Sequence, residues 1–254
     1  MNSIIKIVFV ISLLFIQNSF AEGLKLKNTF LVGVESVPFL PFSNIEKGEY
    51  QGVLKEILLE FGKSQGIMFK FIPLPITRLY ADFYNGRIDF KLPANPYWQK
   101  DIKEKRRLSI HYSNPVVSYT DGVMVPIEKE KTVSIDGLKK LGVVAGFTPW
   151  EYLDQIKAKK IVIKENPSID GLLQQAVMKR IDGAYVNIDV ANYYLKLKSS
   201  GTSKLKFAKS LPHTKSSYFL ASIKHEALIK KFNLFMKKNA AVLLKIHKSF
   251  GTSL

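Results

Sequence analysis

The chain has 254 residues, 46% of them hydrophobic, and it contains no cysteine. Its 38 Lys and Arg residues outnumber its 21 Asp and Glu residues, which gives a formal charge of +17. This composition is typical of a globular protein, and it excludes a disulfide framework, a cysteine-ligated metal and thiol catalysis. The charge leaves nucleic acid, an anionic surface or an anionic ligand as partners.

Residues 1–21 have the pattern of a secretory signal peptide. Lys6 supplies a positive charge, an apolar run follows at Ile7–Ile16, and Ser19 and Ala21 place small residues before the cleavage point. The run is shorter than the roughly 20 apolar residues of a membrane span. We therefore expect cleavage after Ala21 and a periplasmic protein of 233 residues with a charge of +16. Export argues against nucleic acid as a partner.

The first part of the mature chain alternates strand and helix patterns. Two prolines in Val37–Phe42 exclude a regular central strand and predict a rigid loop that presents aromatic side chains. The predicted elements around this loop are, in order, a strand at Thr29–Glu35, a helix at Val53–Gly62, a strand at Met68–Pro73, a helix at Ile76–Tyr84 and a strand at Ile88–Leu92.

A second unit of the same kind follows. Its predicted elements are strands at Lys140–Ala145, Lys160–Lys164 and Gly183–Asn187, a helix from about Pro149 with Thr148 as its cap, a helix capped by Ser168 that runs to Lys179, and a helix at Val190–Leu197. Val116–Val125 and Tyr218–Ile223 predict two strands that cross between the units. The basic tail His225–Ser249 predicts helix that packs on the first unit.

These patterns predict an α/β fold of two lobes with the ligand cleft between them. Residues 22–117 together with 219–254 form the predicted first lobe, and residues 118–218 form the second. Two hinge strands, near residues 117–123 and 211–219, join the lobes.

Several segments in this order resemble the bacterial extracellular solute-binding proteins of family 3, the periplasmic amino-acid receptors of ABC importers. The segments are VGVESVPFLPFS, GEYQGVLKEIL, LPITRLYADFYNGRIDF, EKRRLSIHYSNPV, LKKLGVVAGFTPWEYL and KRIDGAYVNIDVANYYL. The resemblance implies the type II periplasmic binding protein fold and a monomer that closes like a Venus flytrap on a small polar or anionic solute. It implies delivery to importer membrane subunits, with no cofactor, no metal and no catalysis.

The resemblance also implies ligand-binding residues. Phe39 and Phe42 correspond to the family's ligand-stacking loop, and Arg106, with Arg107 as its substitute, corresponds to the arginine that grips a carboxylate. Thr148 corresponds to an anion-contacting threonine at a strand-to-helix turn. The alternatives are that Phe39 and Phe42 only pack within their lobe, that Arg106 belongs to a solvated basic run, and that Thr148 only caps a helix.

One position departs from the family pattern. The family places an Asp, which receives the ligand's ammonium group, where this chain has Asn187, and Asp189 is expected to cap the next helix. The exchange is expected to shift the cleft away from ammonium and towards an anion. The remaining predicted ligand-binding residues are Arg78, Asn95 and Trp98.

Other functions have weaker support. The four histidines lack metal-ligand spacing, and the chain has neither a Gly-x-Ser-x-Gly elbow nor a phosphate-binding loop, so we expect no enzyme. Two alternatives remain open: a periplasmic sensory receptor of the same fold that signals to a membrane partner, and a cationic protein that binds an anionic envelope surface.

Overall fold

The computed structural model describes residues 29–198 and 204–252. The predicted signal peptide, residues 1–21, lies outside the described residues. Within those two ranges, no helix combines the length and the apolar character needed to cross a membrane.

The described residues form twelve strands and eight α-helices. The strands are β1 (Thr29–Glu35), β2 (Asn44–Glu46), β3 (Glu49–Gln51), β4 (Met68–Leu74), β5 (Phe90–Ala94), β6 (His111–Tyr112), β7 (Val117–Pro126), β8 (Lys140–Val144), β9 (Val162–Asn166), β10 (Gly183–Asn187), β11 (Leu205–Phe207) and β12 (Thr214–Ser222). The helices are α1 (Val53–Gln65), α2 (Ile76–Tyr84), α3 (Lys100–Lys105), α4 (Leu153–Lys157), α5 (Ile169–Val177), α6 (Ile188–Lys198), α7 (Glu226–Lys238) and α8 (Ala240–Phe250).

The main sheet has the order β4-β1-β5-β12-β7-β10-β8-β9. Strands β4, β1 and β5 are parallel to one another and form what we call the β1 half. Strands β10, β8 and β9 are likewise parallel and form the β10 half. Between them run the two crossing strands, β7 and β12, which are antiparallel to each other.

The register of the crossing strands places the two halves at different heights along them. Ala94, the last residue of β5, lies beside Phe219 of β12. Asn187, the last residue of β10, lies beside Asp121 of β7, which pairs with Thr214 of β12. The carboxyl ends of the two halves therefore face each other across five residue steps of β12, about 17 Å at the usual rise per residue. We call this space the cleft.

The loop after β1 is fixed on the start of α1. The backbone N–H groups of Val53 and Leu54 donate to the carbonyls of Pro41 and Phe42 at 3.1 and 3.3 Å, which satisfies donors that a helix leaves free at its first turn. Gly52 permits this approach, because a Cβ at that position would lie 2.4 Å from the Phe42 carbonyl oxygen. The loop is therefore anchored to the start of α1, and residues 37–42 form no regular central strand, as the prolines predicted.

Most predicted elements are confirmed, and β1, α2 and β10 have the predicted bounds. The strand predicted at Ile88–Leu92 lies two residues later, at Phe90–Ala94. Helix α3, in the basic run, was not predicted. The helix predicted from Pro149 is a single 3₁₀ turn at Trp150–Tyr152 followed by the five-residue α4, and no side chain caps this turn.

Candidate functional site

The crossing strands form the floor of the cleft. Paired residues of antiparallel strands project from the same face, so Tyr119 and Ser216 share a face with Asp121 and Thr214. A cavity of about 390 Å³ lies against the crossing strands and is lined by residues of both of their faces together with Asp189. Its volume falls within the range of small-molecule pockets, about 300–1,000 Å³.

The predicted aromatic loop presents one side chain to the cleft and buries the other. Phe42 has no exposed surface, and the edge of its ring meets Tyr218 with centroids 5.2 Å apart. Phe39 is partly buried and stacks on Phe42 at 6.0 Å. Of the two predicted contacts, Phe39 is the one with surface left for a ligand.

Asn95 and Trp98 follow the end of β5 and join this cluster. The buried Asn95 amide donates to the Ser216 hydroxyl and the Ser217 carbonyl, both at 3.1 Å. The Trp98 ring lies 6.1 Å from the ring of Tyr218. The structure thus brings four predicted residues (Phe39, Phe42, Asn95 and Trp98) to the edge of the β1 half, around the crossing strand β12.

A buried lysine lies beneath this cluster. Lys91 is 1% exposed and donates to the Pro93 carbonyl, and its Nζ lies 4.5 Å from the ring centroid of Tyr80 and 5.3 Å from that of Trp98. Burial lowers the pKa of Lys91 to about 8, although the charge of Glu35 opposes this change. Burial also raises the pKa of Glu35, against the effect of Lys91. The β1 half therefore carries one positive and one negative group near the cleft.

A carboxylate occupies the facing edge of the β10 half. Asp121 of β7 accepts a hydrogen bond from the Asn187 side-chain amide at 3.1 Å. Burial raises the pKa of Asp121 to about 7, and the nearby carboxylates of Glu151 and Asp189 add to the rise, while the Asn187 bond opposes it. Asp121 therefore lies in an environment where a cation would be stabilised.

Asn187 itself is a structural cap. Its side-chain oxygen accepts the backbone N–H groups of Asp189 and Val190, both at 3.1 Å, at the first turn of α6. The expectation that Asp189 caps this helix is therefore wrong. Asn is a favourable cap, and with its oxygen committed to the helix, its NH₂ group remains to donate to Asp121. The sequence predicts that this edge of the cleft lacks a carboxylate. The structure shows one, because Asp121 of the neighbouring strand β7 lies 3.1 Å from the Asn187 amide.

Other acidic groups accompany Asp121. Burial raises the pKa of Asp189, and Glu151 accepts a hydrogen bond from the Tyr185 hydroxyl at 2.9 Å. A chain with a formal charge of +17 thus places two further carboxylates close enough to Asp121 to raise its pKa. Among the described residues, no group of three or more His, Cys, Asp or Glu could hold a metal ion.

The turn after β8 contacts the opposite side of the cleft. Phe147 lies 6.1 Å from Phe39, ring centroid to ring centroid, and joins the two edges. Thr148, the next residue, is exposed. It is not a helix cap, because the 3₁₀ turn that follows begins after Pro149 and has no side-chain cap. Thr148 therefore lies at the cleft rim beside an aromatic contact between the two halves.

The structure does not bring the two predicted arginines into this cluster. Arg78 is exposed and donates to Asp82 at 2.7 Å, one turn further along α2. Arg106 is exposed and reaches Asn85 at 3.4 Å, with its guanidinium carbon 5.7 Å from the Tyr84 ring centroid. The Arg106 contacts are at the C-terminal end of α2, whereas the cleft lies at the carboxyl ends of the strands. Arg78 stands in the first turn of α2, just after the carboxyl end of β4, and its guanidinium bonds along the helix to Asp82. Arg107, the predicted substitute, is exposed as well.

Four residues of the cleft were not predicted from the sequence: Tyr119, Tyr218, Asp121 and Lys91. The first three lie on crossing strands, whose register cannot be derived from a single sequence. Lys91 gave a signal, because it interrupts the apolar stretch of β5, every residue of which is buried. A lysine at such a position is rarely fully buried unless it has a partner.

Most of this chain matches a known protein family. Residues 31–252 match the family model described as bacterial extracellular solute-binding proteins, family 3. No curated protein matches the sequence.

Solved structures share the fold at low sequence identity. An ancestral arginine-binding protein bound to arginine has 22% identity and a TM-score of 0.65, covering 88% of this chain and 98% of its own. The arginine-, lysine-, histidine-binding protein ArtJ of the thermophilic bacterium Geobacillus stearothermophilus has 18% identity and a TM-score of 0.64, covering 87% and 94%. An ancestral amino-acid-binding protein, a precursor of cyclohexadienyl dehydratase, has 20% identity and a TM-score of 0.65, covering 88% and 95%.

The structural likeness shows the fold, which is that of type II periplasmic binding proteins. The sequence match shows the family, since it extends over most of the chain. The chain belongs to the bacterial extracellular solute-binding proteins of family 3.

Proposed function

We propose that this chain is an exported receptor that binds an amino acid or a related carboxylate-bearing solute in the cleft and delivers it to an ABC importer. The observation that carries the proposal is the Asp121–Asn187 pair at the edge of the β10 half, which faces the aromatic cluster of the β1 half. Residues 22–117 with 219–254 act as one lobe and residues 118–218 as the other.

The cationic end of the ligand contacts the β10 half. Asp121 accepts one amide bond and keeps further acceptor capacity, since an ionised carboxylate has about four lone-pair sites. An ammonium or guanidinium group there would relieve the repulsion among Asp121, Glu151 and Asp189. The relatives that bind arginine, or arginine, lysine and histidine, support a ligand with at least one cationic group.

The carboxylate end of the ligand contacts the β1 half. Arg78 and Arg106 bond to Asp82 and Asn85, whereas the Lys91 Nζ lies 5.3 Å from the Trp98 ring of the aromatic cluster. Lys91 lies behind Trp98 and Tyr80, so it acts through its field in a region of low dielectric constant. Phe39 and Trp98 cover the apolar part of the ligand.

Closure of the lobes buries the ligand. The Phe39–Phe147 contact joins the two sides of the cleft, and the crossing strands are the only covalent links that the described residues provide between the β1 half and the β10 half. A bend of β7 and β12 between the two edges would separate Phe39 from Phe147 and open the cleft, as in hinge closure of other two-lobed proteins.

A thermal-melting screen tests the proposal. The chain from Glu22 onward is melted with each amino acid, a series of organic acids and short peptides. A ligand that binds only the folded state increases the free energy of unfolding and so raises the melting temperature. At a ligand concentration about one hundred times the dissociation constant, the increase is about 2.7 kcal/mol. We expect a response to at least one amino acid, lost on esterification of its carboxylate. No response to any small solute would contradict the proposal.

A further inference from the structure

The two C-terminal helices present a basic and partly apolar outer face. Residues 227–254 contain no Asp or Glu. The same segment contains six lysines: Lys230, Lys231, Lys237, Lys238, Lys245 and Lys248.

Helix α7 separates its apolar and basic residues cleanly. It buries Ile229, Phe232, Phe235 and Met236. On the opposite side, Leu234 is 58% exposed and stands between two pairs of exposed lysines, Lys230 with Lys231 and Lys237 with Lys238. A large apolar side chain is thus held in solvent within a positively charged surface.

Helix α8 continues this face after the single connecting residue Asn239. Val242 and Leu244 are 41% and 47% exposed, and Lys245 and Lys248 are exposed beside them. We call the exposed surface of α7 and α8 the C-terminal face. It carries three exposed aliphatic side chains and six lysines, with Val242 and Leu244 on opposite flanks of α8.

The positive charge of this face is almost uncompensated. Lys230 pairs with Glu226 at 2.7 Å. Within the ranges that the structure describes, the other five lysines have no carboxylate within 4.0 Å. Uncompensated lysines destabilise a compact fold by repulsion, which favours an anionic partner for this surface.

We propose that the C-terminal face binds the surface of an anionic phospholipid membrane. Lysines around exposed aliphatic side chains match the headgroup boundary of a bilayer, where the charges meet lipid phosphates and the apolar groups enter the interface. An anionic polymer would satisfy the lysines alone and leave Leu234, Val242 and Leu244 in water.

Helix α7 begins on the side of the β1 half that points away from the cleft. It starts shortly after Ser222, where β12 pairs with β6, and His225 contacts Asp89 at 3.1 Å, one residue before β5 begins.

Vesicle sedimentation tests the inference. The chain from Glu22 onward keeps every described element and lacks the apolar signal segment, which would itself enter lipid. It is mixed with vesicles of one part phosphatidylglycerol to two parts phosphatidylcholine, or of phosphatidylcholine alone. The triple variant Lys231→Gln, Lys237→Gln, Lys238→Gln should lower the partition coefficient on the order of a hundredfold, since each lysine near an anionic surface contributes roughly fivefold.

A matched triple variant controls for overall charge. Lys157→Gln, Lys159→Gln and Lys160→Gln remove the same charge from exposed positions of the β10 half and should leave most of the binding intact. Leu234→Ser should weaken binding even at moderate salt, where electrostatic attraction is screened.

Three results would overturn the inference: no binding to the anionic vesicles, equal loss of binding in both triple variants, or full binding by Leu234→Ser at moderate salt. The last result would show that the lysines alone account for binding, as they would with any anionic polymer. Solute binding in the cleft is independent of all three outcomes.

Discussion

Replacement of Asp121 by Asn tests the electrostatics of the cleft without the ligand being known. Asn has the same shape and can still accept the bond from Asn187. Because burial raises the pKa of Asp121 to about 7, the folded chain holds this proton more tightly than the unfolded chain does. The stability that Asp121 contributes is therefore fully present below its unfolded pKa, near 4, and is lost as the pH rises through about 7.

The magnitude follows from the two pKa values. Relative to low pH, the raised pKa of Asp121 lowers the free energy of unfolding by about 1.5 kcal/mol at pH 5 and by about 4 kcal/mol at pH 8. Asp121→Asn removes this loss, so the variant should gain about 2.5 kcal/mol on wild type between these pH values. Denaturant unfolding at pH 5 and pH 8, followed by the fluorescence of Trp98 and Trp150, measures the difference.

Two further variants complete this test. Asp154→Asn changes an exposed carboxylate of α4 and should show the same small effect at both pH values. Asn187→Asp places a second carboxylate against Asp121 and should destabilise the chain more at pH 8 than at pH 5, because like charges then face each other. A stability difference between Asp121→Asn and wild type that does not change with pH would refute the reasoning.

Other residues give simpler predictions. Phe39→Ala removes an aromatic contact of about 0.5–1.5 kcal/mol across the cleft and should weaken solute affinity severalfold in calorimetric titration; a melting curve shows whether the fold is intact. Arg106→Ala should change solute affinity by no more than about twofold, since the contacts of Arg106 are exposed and remote from the cleft. A tenfold loss of affinity would show that Arg106 binds the solute. Ser168→Ala removes the cap that accepts the Gly171 N–H at 3.1 Å and should cost about 1 kcal/mol in denaturant unfolding. Thr148→Ala, which removes no cap, should cost much less.

The fold was predictable because its signals are local. Alternation and prolines defined β1 and the loop after it, and Ser168 marked the start of α5. The helix predicted from Pro149 was wrong in its start and its type. A proline fits the first turn of a helix but does not determine how the chain continues, and only a 3₁₀ turn and the short α4 follow.

The site was less predictable because it depends on register. Asn187 alone predicts a cleft without a carboxylate, yet β7 places Asp121 against its amide. Arg106 precedes the Tyr112-Ser-Asn-Pro115 element by the six residues that the family resemblance implies, but α3, an unpredicted helix, carries it to the end of α2. A count along the chain cannot detect an added helix between two matching motifs.

The most direct test of the central claim is calorimetric titration of the chain from Glu22 onward with the amino acid that most raises its melting temperature, in parallel with Asp121→Asn. We expect one molecule to bind per wild-type chain. In the variant, the affinity should fall about tenfold to a hundredfold or more, as expected for the loss of a charged hydrogen bond. Equal affinity in the two proteins would contradict the assignment of Asp121 to the ligand's cationic group.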